Sequence, residues 1–472
     1  MSDTFDLIAI GGGTAGLVTA AGASYLGARV ALVERHRLGG DCLWTGCVPS
    51  KALLASAHAA QVRRDSGRLG ILGKARPVDL ELVMASLRTA REAVSVHDDP
   101  ARFRALGVEV VFGEATLLDA RQVRVGDRVL EAPRLVLATG SVPSAPPIPG
   151  LAGAGYLTSD TIFDLTAAPA SLGIIGGGPI GVELAQAFQR LGIPVELFEA
   201  RETLLPGEDP EAGAIVRARL LAEGVTVRTG VTIERVERRD GARLVRWREP
   251  SGAPTESIHE TLLVATGRRS AIDGLGLDQA GVALDEGNIQ VDHRLRTNVR
   301  GIWAAGDVTG GPRFTHVADY QAKLVLRDAL TPFPARADYR RVPRVTYTDP
   351  EVAAVGMSEA EVRAQGGQVW RQDFADLDRA LTDRRTDGFV KLLASRRGRL
   401  LGGLVVGAAA GELITTVALA LQQRLSLGDL TALVYPYPTM SEGILRAANQ
   451  SRRAALQGLG GRLLRRIVRW GL

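Results

Sequence analysis

Residues 5–35 read FDLIAIGGGTAGLVTAAGASYLGARVALVER, and this stretch decides the fold class. A short apolar run leads into Gly11-x-Gly13-x-x-Gly16, which opens an alanine-rich segment, and a second apolar run ends at Glu34. This order of strand, glycine turn, helix, strand and acidic residue predicts a βαβ unit that binds a dinucleotide. The glycines allow a pyrophosphate to reach the helix N-terminus, and the Glu34 carboxylate can accept hydrogen bonds from a ribose.

The same arrangement occurs again at residues 171–201, which read SLGIIGGGPIGVELAQAFQRLGIPVELFEAR. The second strand of this unit ends at Glu199, and the glycines of its turn are Gly176, Gly178 and Gly181. Two such units predict two nucleotides, and we expect FAD and a nicotinamide cofactor because hydride can pass between them. The Glu199 carboxylate would repel a 2′-phosphate, which favours NADH over NADPH, although Arg201 weakens this preference.

Each unit is followed by a further strand that ends in a small turn. Residues 135–140 and 262–267 both end in Ala-Thr-Gly, and the strand within residues 297–305 is followed by Gly306-Asp307. An aspartate at the end of such a strand is well placed to bind a ribityl hydroxyl, so Asp307 is a candidate flavin ligand. The remaining candidate cofactor-binding residues are Gly40, Ala115, Thr139, Gly140 and Gly267.

Residues 39–51, GGDCLWTGCVPSK, contain Cys42 and Cys47, the only two cysteines of the 472-residue chain. In a straight helix the Cα atoms of residues five apart are roughly 8–9 Å from each other, whereas a disulfide requires less than about 7 Å. A disulfide between them therefore requires a distorted segment, and Gly46 and Pro49 suit such a distortion. Two inert, buried cysteines are the alternative interpretation.

The composition indicates a globular protein of two or three domains, with 46% hydrophobic residues. No apolar run reaches about 18 residues and the N-terminus lacks the basic residues of a signal peptide, so we expect a cytoplasmic protein without a transmembrane helix. In that compartment a disulfide is more often catalytic than structural. Residues 451–472 contain six arginines and no acidic residue, whereas the net charge of the whole chain is +5. The rest of the chain therefore has a net charge of −1, and nucleic-acid binding is not expected.

These motifs resemble the FAD-dependent pyridine nucleotide–disulfide oxidoreductases, which include dihydrolipoamide dehydrogenase, glutathione reductase and mercuric reductase. The resemblance covers about residues 5–450 and is most specific in GCVPSK and GGGPIGVE. It implies electron flow from NAD(P)H to FAD and then to a Cys42–Cys47 disulfide. Cys47 would be the flavin-proximal thiol and Cys42 the thiol that meets the substrate. Lys51 would lie near the flavin N5 and pair with Glu183.

The resemblance also implies the domain organisation. The fold class is α/β, with two doubly wound, Rossmann-like dinucleotide-binding domains and a C-terminal α+β dimerisation domain. The active site would be shared across a homodimer, with Tyr437 and Glu442 of one subunit facing the thiols of the other. The expected ranges are 1–150 and 271–339 for the FAD domain, 151–270 for the NAD(P) domain, 340–450 for the dimerisation domain and 451–472 for a basic tail.

The chain departs from the dithiol-handling members at VYPYPTMSEG, residues 434–443. Those members carry His-Pro-Thr, in which the histidine is the acid/base, and here Tyr437 occupies that place. A tyrosine with a pKa of about 10 is a poor base at neutral pH, which argues against efficient dihydrolipoamide oxidation. Tyrosine at this place resembles mercuric reductases. However, the chain lacks their C-terminal cysteine pair, and Trp44 adds a bulky indole beside the redox pair.

The tail contains apolar residues at intervals of three or four, with arginines between them. This pattern is typical of a basic amphipathic helix on an anionic membrane surface, although Gly458, Gly460 and Gly461 weaken the helix. A frayed tail and a helix packed on the dimer are the alternatives. The apolar residues are Leu456, Leu459, Leu463, Ile467 and Trp470, and the arginines are Arg462, Arg465, Arg466 and Arg469.

Three functions remain open at this point. The first is a disulfide oxidoreductase that reduces a small disulfide or a thiophilic metal ion, in the manner of mercuric reductases or, alternatively, of dihydrolipoyl dehydrogenases. The second is an NAD(P)H–quinone reductase held at the membrane by residues 451–472. The third is a redox-sensing flavoprotein with little turnover. The sequence favours the first, with a small-molecule electron acceptor and without a resident metal ion.

Overall fold

The computed structural model describes residues 3–72 and 77–469. In chain order its strands are β1 Asp3–Thr4, β2 Leu7–Ile10, β3 Val30–Glu34, β4 Val108–Phe112, β5 Ala115–Leu117, β6 Gln122–Val125, β7 Arg128–Glu131, β8 Leu135–Leu137, β9 Ser141–Pro143, β10 Leu172–Ile175, β11 Val195–Glu199, β12 Thr226–Thr229, β13 Thr232–Arg239, β14 Ala242–Arg248, β15 Pro254–His259, β16 Thr261–Val264, β17 Arg268–Ser270, β18 Leu284–Asp285, β19 Asn288–Ile289, β20 Ile302–Ala304, β21 Arg344–Thr346, β22 Glu351–Gly356, β23 Gln368–Asp373, β24 Phe389–Ala394 and β25 Leu400–Gly407. The helices are α1 Thr14–Tyr25, α2 Gly40–Trp44, α3 Cys47–Asp65, α4 Leu80–Ser95, α5 Pro100–Ala105, α6 Leu151–Ala154, α7 Pro179–Arg190, α8 Pro210–Ala222, α9 Leu277–Ala280, α10 Thr315–Leu330, α11 Glu359–Ala364, α12 Asp378–Thr382, α13 Ala410–Gln422, α14 Leu427–Ala432, α15 Glu442–Gln457 and α16 Leu459–Arg469.

The chain forms two compact units. The first comprises Met1–Gly176, Ala187–Val195 and Thr232–Asp338, and the second comprises Gly177–Gln186, Glu196–Val231 and Tyr339–Leu472. The first unit is built around a parallel sheet in the order β20-β8-β2-β3-β4. Strands β2, β8 and β20 are buried throughout, as expected of short apolar strands in a parallel sheet that is covered on both faces.

The two faces of this sheet support separate apolar clusters because successive side chains of a strand point in opposite directions. Leu7 and Ala9 face α1 and α10, which pack on each other, whereas Ile8 and Ile10 face the layer that contains β5, β6 and β7. The carboxyl ends of β2, β8 and β20 meet at one edge. The glycine turn after β2 and the turns after β8 and β20 are therefore brought together at that edge.

The first unit also contains smaller sheets. Strands β10 and β16 pair in parallel, and β13, β14 and β15 form an antiparallel sheet. A mixed sheet has the order β1-β7-β6-β5, and two antiparallel pairs join β17 to β9 and β18 to β19. The β17–β9 pair follows the two Ala-Thr-Gly turns and holds Ser141 opposite Ser270.

The second unit contains the parallel pair β11–β12 and an antiparallel sheet in the order β21-β22-β25-β24-β23. Helix α13 packs on β22 and β25, and α15 packs on β23 and β24. Residues such as Val355, Leu392, Val417 and Ile444 form its buried core. The predicted α/β fold class with a C-terminal α+β part is confirmed.

None of the described helices is both long and apolar enough to span a membrane. Residues 459–469 of the tail are helical, and α16 begins two residues after α15 ends. The predicted contribution of Trp470 lies outside the described residues.

Candidate functional site

The first glycine turn has the geometry of a nucleotide cradle. Gly11 has φ +110°, and a Cβ atom there would lie 2.3 Å from the Ala138 carbonyl oxygen. A Cβ atom on Gly16 would lie 1.8 Å from the Gly11 carbonyl oxygen, so a larger residue fits at neither position. Gly13 caps the N-terminus of α1 without a side-chain hydrogen bond. The amides of that helix end are therefore available to an anion.

Glu34 ends β3 beside this turn. Its Oε2 atom accepts a hydrogen bond from the Gly12 amide at 2.7 Å, and its Oε1 atom accepts one from the His36 amide at 2.8 Å. These bonds hold the carboxylate at the turn, where sequence analysis expects it to meet a ribose. The sequence motif alone did not indicate that Glu34 also fixes the turn.

The second glycine turn is built in the same way. Glu199 Oε2 accepts from the Gly177 amide at 2.6 Å, and Oε1 accepts from the Arg201 amide at 2.8 Å. Gly178 has open space where a side chain would be, and Gly181 lies in the first turn of α7. Gly176 has φ +115° and packs against the Ala265 carbonyl, next to the turn that contains Gly267. The repeated motif therefore corresponds to a repeated hydrogen-bonding geometry.

The turns after β8 and β20 converge near the first glycine turn. Asp307 Oδ2 accepts a hydrogen bond from the Ser141 hydroxyl at 2.6 Å, and the Gly306 amide donates to Gln321 Oε1 at 2.6 Å. The Thr139 hydroxyl is buried and has no hydrogen-bond partner among the described residues. An orphaned hydroxyl in this position suits a bound polar group. Gly140 has φ +72°, and Ala115 begins β5.

The cysteine segment passes directly over the glycine turn. A Cβ atom on Gly40 would lie only 2.7 Å from the Gly13 Cα atom, so the two backbones touch. Gly40 begins α2, which carries Cys42, and α3 begins at Cys47. The segment that carries the two thiols therefore begins against the glycine turn, and the contact explains why a glycine is required at residue 40.

The predicted distortion between the cysteines is present. The helix is interrupted at Thr45 and Gly46, and Gly46 has φ −124° and ψ −111°. A Cβ atom on Gly46 would lie 2.8 Å from the Asp41 carbonyl oxygen. Pro49 contributes less than expected, because it lies in the first turn of α3, where an amide has no intrahelical partner to lose.

Both cysteines are present as thiols, with Cys42 partly buried and Cys47 exposed. The hydrogen bond between the two sulfurs raises the pKa of Cys42, and burial raises it further. The Cys47 sulfur lies 3.3 Å from the Thr315 hydroxyl and at the N-terminus of α3. A helix N-terminus stabilises negative charge, so Cys47 is the better placed of the two to hold a thiolate. The sequence did not point to Thr315.

Lys51 lies one turn after Cys47 on α3 and is partly buried, and its Nζ atom lies 3.3 Å from the Ser50 hydroxyl. Glu183 lies on α7, is 6% exposed, and accepts a hydrogen bond from the Tyr347 amide at 2.8 Å. The pairing of Lys51 with Glu183 stays a prediction.

In the second unit, Glu442 is the first residue of α15, and Tyr437 lies five residues before it. The Tyr437 side chain is 70% exposed, and its hydroxyl donates to Asp378 Oδ2 at 2.9 Å, which raises the pKa of the phenol. Tyr437 is therefore a hydrogen-bond donor at neutral pH and not a base. The Glu442 Oε2 atom is buried without a hydrogen-bond partner among the described residues, and Oε1 lies 3.8 Å from Arg446.

The sequence motifs did not predict a network of hydrogen bonds centred on Arg268. Its side chain donates to Ser141 Oγ at 2.7 Å and to Ser159 Oγ at 3.1 Å, and it also donates to the Asp41 carboxylate. About half of the Asp41 side chain is accessible, but desolvation in the cleft outweighs Arg268 and raises the pKa of Asp41 to about 6. The adjacent Asp160 and Asp307 carboxylates raise it further. In the sequence, the second Ala-Thr-Gly turn, which directly precedes Arg268, was the only pattern that could have indicated this residue.

A second missed feature surrounds Trp44, which follows Cys42 by two residues. The Arg37 guanidinium lies 3.8 Å above the indole, and the Arg91 guanidinium lies 5.5 Å from it. Arg91 also donates to the Trp44 carbonyl at 3.3 Å. Burial, and then the charge of Arg91, lower the pKa of Arg37. Two cations therefore lie on the indole that follows Cys42 by two residues.

The chain also matches known proteins over most of its length. Residues 5–322 match the model of the pyridine nucleotide-disulphide oxidoreductase family, and residues 342–448 match the family's dimerisation domain. The chain is 37% identical to mercuric reductase of Streptomyces lividans, covering 94% of this chain and 95% of that protein. It is 36% identical to dihydrolipoyl dehydrogenase of Thermus scotoductus, covering 96% and 98%.

The structure is also similar to a Cu(II) complex of the HOCl-induced flavoprotein disulfide reductase RclA from Escherichia coli. The TM-score is 0.86 at 27% identity, covering 95% of this chain and all of that one. The chain therefore belongs to the pyridine nucleotide–disulphide oxidoreductases, and it is an FAD-dependent oxidoreductase with a homodimerisation domain. The Gly13–Gly40 backbone contact and the orphaned Thr139 hydroxyl fit FAD in the first unit.

Proposed function

We propose that the protein is an NAD(P)H-dependent disulfide oxidoreductase that works through Cys42 and Cys47. The observation that carries the proposal is the position of the two thiols on either side of the Gly46 break, in a segment that touches the Gly13 cradle. When bound, FAD would carry two electrons from the nicotinamide to the cysteine pair.

Family membership and local environment support the following proposed residue roles. Cys42 attacks a disulfide substrate and forms a mixed disulfide, and one substrate thiol leaves. Cys47 then attacks the Cys42 sulfur, the second thiol leaves, and the Cys42–Cys47 disulfide forms. Overall, NAD(P)H and one proton reduce one disulfide to two thiols. Thr315 and the α3 N-terminus support a thiolate at Cys47.

The remaining cofactor and catalytic roles are part of the same proposal. Lys51 and Glu183 would form an ion pair beside FAD when it is bound. Glu34 and Asp307 would hold the sugar portions of FAD, and the Glu199 carboxylate would favour NADH slightly over NADPH. The glycines that approach the two nucleotides are Gly11, Gly13, Gly16, Gly40, Gly140, Gly176, Gly178, Gly181 and Gly267, with Ala115 and Thr139 beside FAD.

We propose that the substrate is a small disulfide or a thiophilic metal ion. Mercuric reductases are among the relatives, and the E. coli neighbour is described as a Cu(II) complex. Soft ions such as Hg(II) prefer thiolate ligands, and this chain offers only the two redox thiols. No other cysteine could deliver a metal ion, so an acceptor that diffuses to the site by itself is favoured.

The site is proposed to be complete only in the homodimer. The FAD domain comprises residues 1–150 and 271–339, the NAD(P) domain residues 151–270 and the dimerisation domain residues 340–450. Tyr437 and Glu442 would then face the thiols of the other subunit. Because Tyr437 donates to Asp378, it can orient an acceptor or stabilise a leaving thiolate, but it does not remove a proton.

Anaerobic dithionite titration of the holoenzyme tests the redox role of the thiols. We expect about four electrons per FAD, with a long-wavelength thiolate–flavin band at the halfway point, and about two electrons in Cys42→Ser and Cys47→Ser. Conservative replacement of the exposed Ser86 by alanine is the matched control. Two electrons in the unsubstituted enzyme would refute the proposal.

A quinone reductase is the second candidate. It is supported by the absence of a histidine beyond His316 and by Tyr437 acting as a donor. It predicts that Cys42→Ser retains turnover with a soluble quinone, whereas the disulfide mechanism predicts that turnover with a disulfide is lost. A redox sensor would show negligible turnover with every acceptor.

A further inference from the structure

The C-terminal half of helix α16 has its arginines and its described apolar side chains on opposite sides. Its four arginines, Arg462, Arg465, Arg466 and Arg469, are all exposed. At about 100° per residue they fall within an arc of roughly 100°. Leu464, Ile467 and Val468 fall within a second arc of similar width, whose centre is about 160° from that of the arginines.

The apolar arc is not buried against the described part of the chain. Leu464, Ile467 and Val468 are 51%, 41% and 70% exposed. Residues 451–472 contain no acidic residue that could neutralise the arginines. Arg465 donates to the Leu456 carbonyl at 3.1 Å, and no acidic side chain among the described residues pairs with it. The surface therefore combines exposed apolar side chains with unneutralised positive charge.

An anionic bilayer surface can bind both the arginine arc and the apolar arc of this helix. Apolar side chains enter the boundary between head groups and acyl chains, and arginines bind lipid phosphates. Nucleic acid phosphates would bind the arginines but would leave the apolar arc exposed to water. A second copy that paired its own α16 with this helix would cover the apolar arc but bring four more arginines close to the first four. We propose that α16 is a peripheral anchor that lies in the surface of an anionic membrane.

The proposal is tested with the full-length holoenzyme and sedimented vesicles. One set of vesicles contains phosphatidylcholine with about 30% phosphatidylglycerol, and the other contains phosphatidylcholine alone. We expect partitioning onto the anionic vesicles only, and loss of partitioning in 1 M NaCl because salt screens the arginines. Each arginine near the surface contributes about a fivefold factor in partitioning.

Two variants separate the contributions of the two arcs. The charge variant R462Q/R465Q/R466Q/R469Q should lose partitioning by more than a hundredfold. The apolar variant L464S/I467S/V468S should lose most of it while keeping its charge. The matched control R121Q/R124Q/R238Q/R239Q changes the net charge equally at exposed arginines elsewhere and should partition like the unsubstituted protein.

Activity and folding are measured alongside. All three variants should keep their FAD content and their turnover with a soluble acceptor, so a failure of the anchor is distinguishable from a failure of the proposed chemistry. Equal partitioning of the charge variant and the matched control would overturn the proposal. Dissociation of the dimer in the apolar variant would instead assign α16 to the contact between subunits, and would also overturn it.

Discussion

Replacement of Lys391 by methionine should destabilise the second unit strongly. The lysine side chain is only 4% exposed, and its Nζ atom lies 2.9 Å from Asp209 Oδ2, 2.7 Å from Glu211 Oε1 and 2.8 Å from Glu359 Oε2. Burial opposes the lysine charge, but the three carboxylates outweigh burial and raise the pKa of Lys391. Methionine fills a similar volume and leaves the carboxylates without their shared cation.

Removing one partner of a buried ion cluster costs about 3–5 kcal/mol. Glu211 is 50% exposed and therefore screened by water, so we expect the lower end of this range, about 3 kcal/mol. For a unit of this size 1 kcal/mol shifts Tm by about 2–4 °C. The expected decrease in Tm is therefore about 6–12 °C at pH 7.5.

The pH dependence provides a second check. The raised pKa of Lys391 means that its stabilisation is complete below about pH 10 and is lost as the pH rises through the folded-state pKa. Despite burial, Lys391 holds the pKa values of Glu211 and Glu359 below their ordinary values, so their stabilisation is present above about pH 4.5 and is lost in acid. The effect of Lys391→Met should therefore be largest between about pH 5 and 10 and should shrink near pH 3.

Thermal unfolding monitored by circular dichroism at pH 7.5 and pH 3 measures both effects. The control is Lys323→Met, because Lys323 is 63% exposed and forms a surface pair with Asp319 on α10. An exposed pair contributes less than about 1 kcal/mol. A decrease in Tm of less than 3 °C for Lys391→Met at pH 7.5, or an equal decrease at pH 3, would refute the reasoning.

Three further predictions concern the candidate site. Arg91→Gln should lower kcat/KM for a dicarboxylate disulfide about fivefold more than for a neutral disulfide, because a cation near Trp44 is lost; equal losses in steady-state kinetics would contradict this. Asp98→Asn should speed alkylation of Cys42 by iodoacetamide at pH 7, because the Asp98 charge contributes to the raised pKa of that thiol; an unchanged rate by mass spectrometry would exclude this influence. Asp41→Asn should raise Tm by about 2–4 °C at pH 7.5 and change it little at pH 4. The pKa of the Asp41 carboxyl is raised to about 6 in the folded protein, so its ionisation destabilises the fold as the pH rises through that value. A lower Tm at pH 7.5 would show that the ion pair with Arg268 dominates.

Local sequence patterns were sufficient to predict the two glycine turns and the break between the cysteines. A glycine turn between a buried strand and a helix has few conformational solutions, so Gly11 and Gly16 could be recognised from spacing alone. The distance limit of a disulfide likewise required a break between Cys42 and Cys47. The prediction that Pro49 helps to break the helix was wrong, because the first turn of a helix tolerates proline.

The sequence by itself determined the two dinucleotide units, the redox motif and the family, because each depends on residues close together in the chain. The tertiary structure alone decided that Gly40 touches Gly13, that Arg268 joins Asp41 to Ser141 and that Lys391 lies among three carboxylates. These contacts join residues from 27 to more than 200 positions apart. No local period or spacing specifies them, because they arise only when the carboxyl ends of different strands meet at one sheet edge and when burial forces charges to pair.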